Sequence, residues 1–116
     1  MDLQLDGRIL GFDEEKREID VLLLPWDTDA EQADGVHRFG RGAFADVDPK
    51  RIVLRQRHQD PPTGRGIALS DEDDGQHARF KISKTLAGDE QLALIRDEVE
   101  TGISVGFDVS DNRKER

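Results

Sequence analysis

Apolar side chains fall at roughly alternate positions from Leu3 to Phe12 and again from Glu18 to Pro25, with the wholly polar Asp13-Glu14-Glu15-Lys16-Arg17 between them. Alternation with period two marks a strand with one buried face, and two such runs around a short polar link predict a β-hairpin. The pattern then lapses. Trp26 to Gly42 scatters Asp27, Asp29, Asp34, Gly35, Gly40 and Gly42 without a period and predicts the longest loop of the chain. Ala43 to Val47 predicts a short helical turn ahead of Pro49. The run Arg51 to His58 is rich in β-branched and apolar residues and predicts a strand. Asp60-Pro61-Pro62 ends it, since proline has no N–H to give a ladder. Gly66 to Ser70 and His77 to Ser83 predict a further strand pair, and the turn between them, Asp71-Glu72-Asp73-Asp74-Gly75, closes on an Asp-Gly signal.

One segment carries a helical period. Between Asp89 and Glu100, Leu92, Ile95 and Val99 recur at i, i+3 and i+7, with acids in the first turn and Gly102 as a stop signal. Ile103 to Val109 then alternates strictly. About six or seven strands with one helix predict a mainly β, α+β fold, a small barrel or sandwich. A chain of 116 residues holds a single domain, 1–116, in which 110–116 reads as a charged tail.

Charge narrows the field of functions. Seventeen Lys and Arg against 26 Asp and Glu leave a net charge of −9, which opposes a phosphate backbone and predicts no nucleic-acid partner. The longest apolar run, Val21 to Leu24, falls far short of the roughly 20 residues that cross a bilayer, so no membrane partner is expected. No apolar stretch of the kind a secretory leader needs follows Met1. The absence of cysteine removes disulfides, thiolate metal ligands and thiol nucleophiles together. Only 34% of residues are hydrophobic, a lean core that leaves room for a homo-oligomer.

Two residues stand out chemically. In the last strand Ile103, Val105, Phe107 and Val109 face one way and Gly102, Ser104, Gly106 and Asp108 the other. Ser104 is thus flanked on its own face by two glycines, and with no Cβ there a peptide backbone has room to approach its hydroxyl. Such a serine is either a nucleophile or a solvent-facing residue whose glycines mark a bend. On its predicted strand His58 shares a face with Ile52, Leu54 and Gln56. It reads either as a histidine at the edge of the core or as the base that a serine needs, since a neutral imidazole accepts protons near pH 7. The three histidines, His37, His58 and His77, lack short metal-ligand spacing, and no metal and no cofactor is expected. Asp71 to Asp74 lacks the alternating ligands of a calcium loop and reads as an acidic hairpin tip.

The order of motifs adds a resemblance. Phe39-Gly40-Arg41-Gly42-Ala43-Phe44 is followed by Ile52-Val53-Leu54 leading into Arg57-His58, then Pro61-Pro62-Thr63-Gly64-Arg65-Gly66. Next come Asp73-Asp74-Gly75-Gln76-His77-Ala78-Arg79-Phe80, Ala87-Gly88-Asp89-Glu90, and Gly102-Ile103-Ser104-Val105-Gly106-Phe107. From about Gly7 to Val109 this series resembles the tailed-bacteriophage prohead proteases, capsid-maturation serine peptidases distantly related in fold to herpesvirus assemblin. The resemblance implies a small herpesvirus-protease-like barrel, incomplete at its C-terminus. It also implies a serine endopeptidase with Ser104 as nucleophile and His58 as its base.

The implied substrates are the major capsid protein and scaffold segments, and the chain itself, cleaved inside the immature prohead in the host bacterial cytoplasm. His77 matches as a structural position, and Arg65 matches without an assigned role. The chain departs from the pattern after the serine strand. Such proteases usually continue into a further strand with a Glu-Val-Ser-Leu-like segment and a proline, expected to supply the third catalytic group. Here 12 residues follow Ser104. Asp60 and Asp108 are nearby acids that nothing matches to that role. The alternative expectation is a non-catalytic capsid-assembly or scaffolding module that keeps the protease fold. A strand-borne serine between glycines further predicts that an extended peptide binds by pairing with a strand edge.

Overall fold

The alternating runs become strands whose apolar faces turn onto one interior. A computed structural model describes residues 2–32, 35–57 and 59–108. In chain order the elements are β1 (Asp2–Asp13), β2 (Glu18–Leu24), β3 (Asp29–Gln32), β4 (Gly35–Arg38), β5 (Ile52–Arg55), β6 (Gly64–Glu72), β7 (Gly75–Ile82), α1 (Leu86–Arg96) and β8 (Gly102–Asp108). Six strands close into a barrel in the order β1-β2-β7-β6-β5-β8, every pair antiparallel, while β3 and β4 form a separate two-stranded arm. The fold is mainly β with one helix, as the periodicities predict.

β1 is the shared strand. Its first half, Asp2 to Arg8, pairs with β8, and its second half, Arg8 to Asp13, pairs with β2. An extra residue at Leu10 shifts the register between Ile9 and Gly11, and a similar shift surrounds Ile67 on β6. Such bulges bend a strand and help a sheet of few strands to close.

The interior is filled by Ile19, Val21 and Leu23 of β2, Ile52 and Leu54 of β5, Ala78, Phe80 and Ile82 of β7, and Ile103 and Val105 of β8. Each large apolar side chain buried here contributes about 1.5–3 kcal/mol. Leu92 and Ile95 add the apolar stripe of α1 to the same cluster. Gly88 lets the first turn of α1 lie against the Ser83 carbonyl, which a Cβ would strike. Gly75, at φ +153°, closes the β6–β7 hairpin against the backbone of Leu24 and Pro25.

The structure corrects several boundaries. The helix starts a turn before Asp89, because the Thr85 hydroxyl caps it by accepting the Gly88 N–H at 2.9 Å. It also ends well before Glu100. Glu98 adopts a left-handed conformation, φ 59°, its N–H bonds to the Ile95 carbonyl at 3.0 Å, and the Val99 N–H bonds to the Leu94 carbonyl at 2.9 Å. This pair of bonds is a Schellman ending. Val99, expected on the apolar face, is outside the helix and 71% exposed.

The long loop expected from Trp26 to Gly42 contains the β3–β4 arm, whose four-residue strands are too short and polar to show a period. Ala43 to Val47 makes successive turns, with Ala45 N–H to the Gly42 carbonyl and Val47 N–H to the Phe44 carbonyl. The strand expected to reach His58 stops at Arg55, and the pair expected from Gly66 to Ser70 and from His77 runs further, from Gly64 to Glu72 and from Gly75. Among the described residues, no helix is long and apolar enough to cross a membrane.

Candidate functional site

Ser104 stands mid-strand on β8, between Ile103 and Val105, which face the core. The ladders on its two sides place it directly opposite Asp6 of β1 and directly opposite Arg55 of β5. Asp6, Ser104 and Arg55 therefore form one row across three strands on the outer face of the barrel, with neighbouring Cβ atoms about 5 Å apart.

The open polar face expected around Ser104 is not what the structure shows. The residue is only 3% exposed. It lies in a cleft of about 320 Å³ lined by Asp6, Gly7, Gln56, Arg57 and Gly102 besides Ile103 and Ser104 itself. Gln56 and Arg57 follow the end of β5, and their presence along the cleft explains why an outward-facing side chain is nearly shielded from solvent. Gly102 is exposed at the cleft, as the glycine pattern suggests, whereas Gly106 is buried.

His58 lies outside the described residues. Because β5 ends at Arg55, the face expected to join it with Gln56 along one strand does not exist. Its chain neighbour Arg57 lines the Ser104 cleft. The segment after β5 is pinned at both ends. The Leu54 carbonyl accepts the Thr63 N–H at 2.7 Å and the Thr63 hydroxyl at 3.3 Å. Arg55 Nε donates to the Asp60 carbonyl at 2.9 Å, the Asp60 N–H to the Arg57 carbonyl at 3.0 Å, and Arg57 Nε to the Asp60 carboxylate at 3.2 Å.

A second set of bonds supports the cleft from the helix side. Gln56 Nε2 donates to Glu100 Oε2 at 3.1 Å, and Gln91 Nε2, on the inward face of α1, donates to Glu100 Oε1 at 2.9 Å. One carboxylate thus ties a cleft-lining carboxamide to a fully buried one. The sequence signals neither Gln56 nor Glu100, since each acquires its role only through contacts between distant segments.

A larger cleft, about 510 Å³, lies on the outer face of the barrel and is lined in part by Ser70, Glu72, His77 and Arg79. Ser70 stands opposite His77 in the β6–β7 ladder, and His77 Nε2 lies 2.7 Å from Asp74 Oδ1. The residue types are those of a hydrolytic triad, but the Ser70 hydroxyl donates to the Glu72 carboxylate. That arrangement ties the Ser70 hydroxyl to Glu72 of its own strand. His37 stacks on Phe39, centroids 6.1 Å apart. Among the described residues no three His, Asp or Glu side chains are grouped to hold a metal ion. Arg65 is exposed on β6 opposite Val53 and Lys81.

Comparison with known protein families, curated proteins and solved structures finds no match for this chain. The site therefore stands on its own geometry: a serine hydroxyl on a rigid strand, a carboxylate opposite it, and a carboxamide on the cleft wall.

Proposed function

We infer that this chain is a serine endopeptidase of the prohead-protease kind, with Ser104 as nucleophile and His58 as its base. The observation that carries the reading is the place of Ser104, on a barrel strand at a cleft that the residue preceding His58 also lines. In this reading Ser104 Oγ forms a bond to the scissile carbonyl carbon while its proton passes to the His58 imidazole. The C–N bond then breaks, and the leaving amine takes that proton. Water completes the cycle: its oxygen displaces Ser104 from the acyl group and its proton returns through His58 to Oγ.

The substrates are extended segments of a major capsid protein and its scaffold, cut inside an immature prohead in the bacterial cytoplasm. Burial of Ser104 favours one second reading, a capsid-assembly module that binds shell protein without cleaving it. Co-expression with a capsid protein that carries its scaffold segment separates the two. The peptidase generates new N-termini in that protein, and Ser104→Ala abolishes them. If Ser104→Ala yields the same fragments as the parent, or neither yields any while both bind the shell protein, the peptidase reading is overturned.

A further inference from the structure

β1 has a neighbouring strand on both sides for only part of its length. Among the described residues, 2–7 pair with β8 alone, and pairing with β2 starts at Arg8, opposite Leu22. The two strands part there because the end of β2 is fastened elsewhere. Leu24 stands opposite Gln76 of β7, the Gly75 turn lies against the Leu24 carbonyl, and Trp26 Nε1 donates to the Glu72 carbonyl at 2.7 Å. The seam between β1 and β2 is a cleft of about 370 Å³, lined on one side by Gln4, Leu5 and Asp6 and on the other by the end of β2 and by β3.

One group already occupies this edge. Gln32, the last residue of β3, accepts the Gln4 N–H at 3.0 Å and donates to the Gln4 carbonyl at 2.9 Å. In an antiparallel ladder one opposed residue supplies both of those bonds, through its own C=O and N–H. The edge at Gln4 is therefore set in the geometry of strand pairing, and an amide is the chemistry that satisfies it. Both bonds are exposed, so exchanging them for those of a peptide moves one side chain and leaves the core in place.

Charge selects among peptides. The chain carries −9, and among the described residues no Lys or Arg lines the cleft. Asp29, on the arm side, is already paired with Arg38, and the field of the whole chain still favours a basic partner. A second copy, itself at −9, is disfavoured.

We propose that residues 2–7 of β1 form a docking edge for a basic, extended peptide, which pairs antiparallel with Gln4 after displacing the Gln32 carboxamide. The inference goes beyond the peptidase reading and does not depend on it, since neither Ser104 nor its cleft takes part. The probe is acetyl-Lys-Val-Thr-Val-Lys-amide, titrated into the full, isotope-labelled chain. Its controls are the same peptide N-methylated at the three central residues, which removes ladder donors, and the same peptide with Glu for Lys.

The expected result is saturable movement of the Gln4 amide signal with the probe, and binding of each control weaker by about tenfold or more. Gln32→Ala, or Gln32→Ser if folding is perturbed, tightens the probe's Kd by about three- to tenfold, because the fraction of edges held closed is lost. A Gln4 signal that moves in neither parent nor variant overturns the inference. Equal binding of either control does so too, as does an affinity that the Gln32 variants leave unchanged or weaken. A variant dimer in sedimentation velocity that the probe fails to dissociate makes a second copy the occupant and also overturns it.

Discussion

Gln56 and Glu100 are joined by a 3.1 Å hydrogen bond that ties the wall of the Ser104 cleft to the chain leaving α1. Glu100 in turn accepts from Gln91, whose side chain is fully buried and whose Oε1 has no partner among the described residues. The cleft and the helix end are therefore one mechanical unit. Removing the carboxylate strands two amides at once. Glu100→Ala is expected to lower unfolding stability by about 1–3 kcal/mol, the usual cost of a buried donor left unpaired. Urea denaturation checks this, with an unchanged m-value showing that the native state has kept its extent.

Glu98 holds a conformation that glycine adopts without cost, at φ 59° in the Schellman ending of α1. Glu98→Gly is expected to raise stability by up to about 1 kcal/mol, the left-handed penalty less the added entropy of the unfolded chain. A thermal melt that falls instead of rising argues against strain at this residue.

Arg17 fastens the β1–β2 turn to the start of the helix. Its Nε donates to the Ile82 carbonyl at 3.0 Å, a terminal nitrogen donates to the Ser83 carbonyl at 2.5 Å, and the guanidinium lies 2.9 Å from Asp89. Asp89 is largely exposed, so the two carbonyl bonds carry most of the effect. Arg17→Ala is expected to cost about 1.5–3 kcal/mol in chemical denaturation. Asp89→Ala should cost well under half as much.

Gln32 caps an otherwise open stretch of β1. Its carboxamide accepts the Gln4 N–H at 3.0 Å and donates to the Gln4 carbonyl at 2.9 Å, the same two bonds a neighbouring peptide group would make. Gln32→Ala is expected to change stability by less than about 1 kcal/mol but to speed hydrogen exchange at the Gln4 amide. Since bare strand edges pair with other chains, the variant should also self-associate at lower concentration than the parent. Unchanged exchange at Gln4 would mean that Gln32 is not what protects this edge.

What the chain reveals by pattern and what it conceals divide along physical lines. Strict alternation exposes β8, and the polar gap after Phe12 exposes the first hairpin, because one buried face imposes a period on each strand. The strands of the arm are four residues each and mostly polar, with Ala30 the one apolar side chain of β3 packed against the core, and their pairing includes contacts such as Asp29 with Arg38 at 2.5 Å, so no period marks them. The end of α1 is hidden because its left-handed position is Glu98 where a glycine would be the usual signal. At the site, alternation of Leu3 and Leu5 with Asp6 puts that acid on the outer face of β1, and the glycines around Ser104 are plain in the sequence. That Asp6 and Ser104 oppose each other depends on β1 closing against β8, a pairing of chain ends that local pattern does not encode.

Covalent labelling decides whether Ser104 is an activated nucleophile. The folded chain is exposed to a fluorophosphonate and its adducts are mapped by intact mass and peptide sequencing. One phosphonyl group per chain is expected, on Ser104, and none on Ser104→Ala. A natively folded chain that stays unmodified, or one that takes the group on Ser70 of the larger cleft, contradicts it.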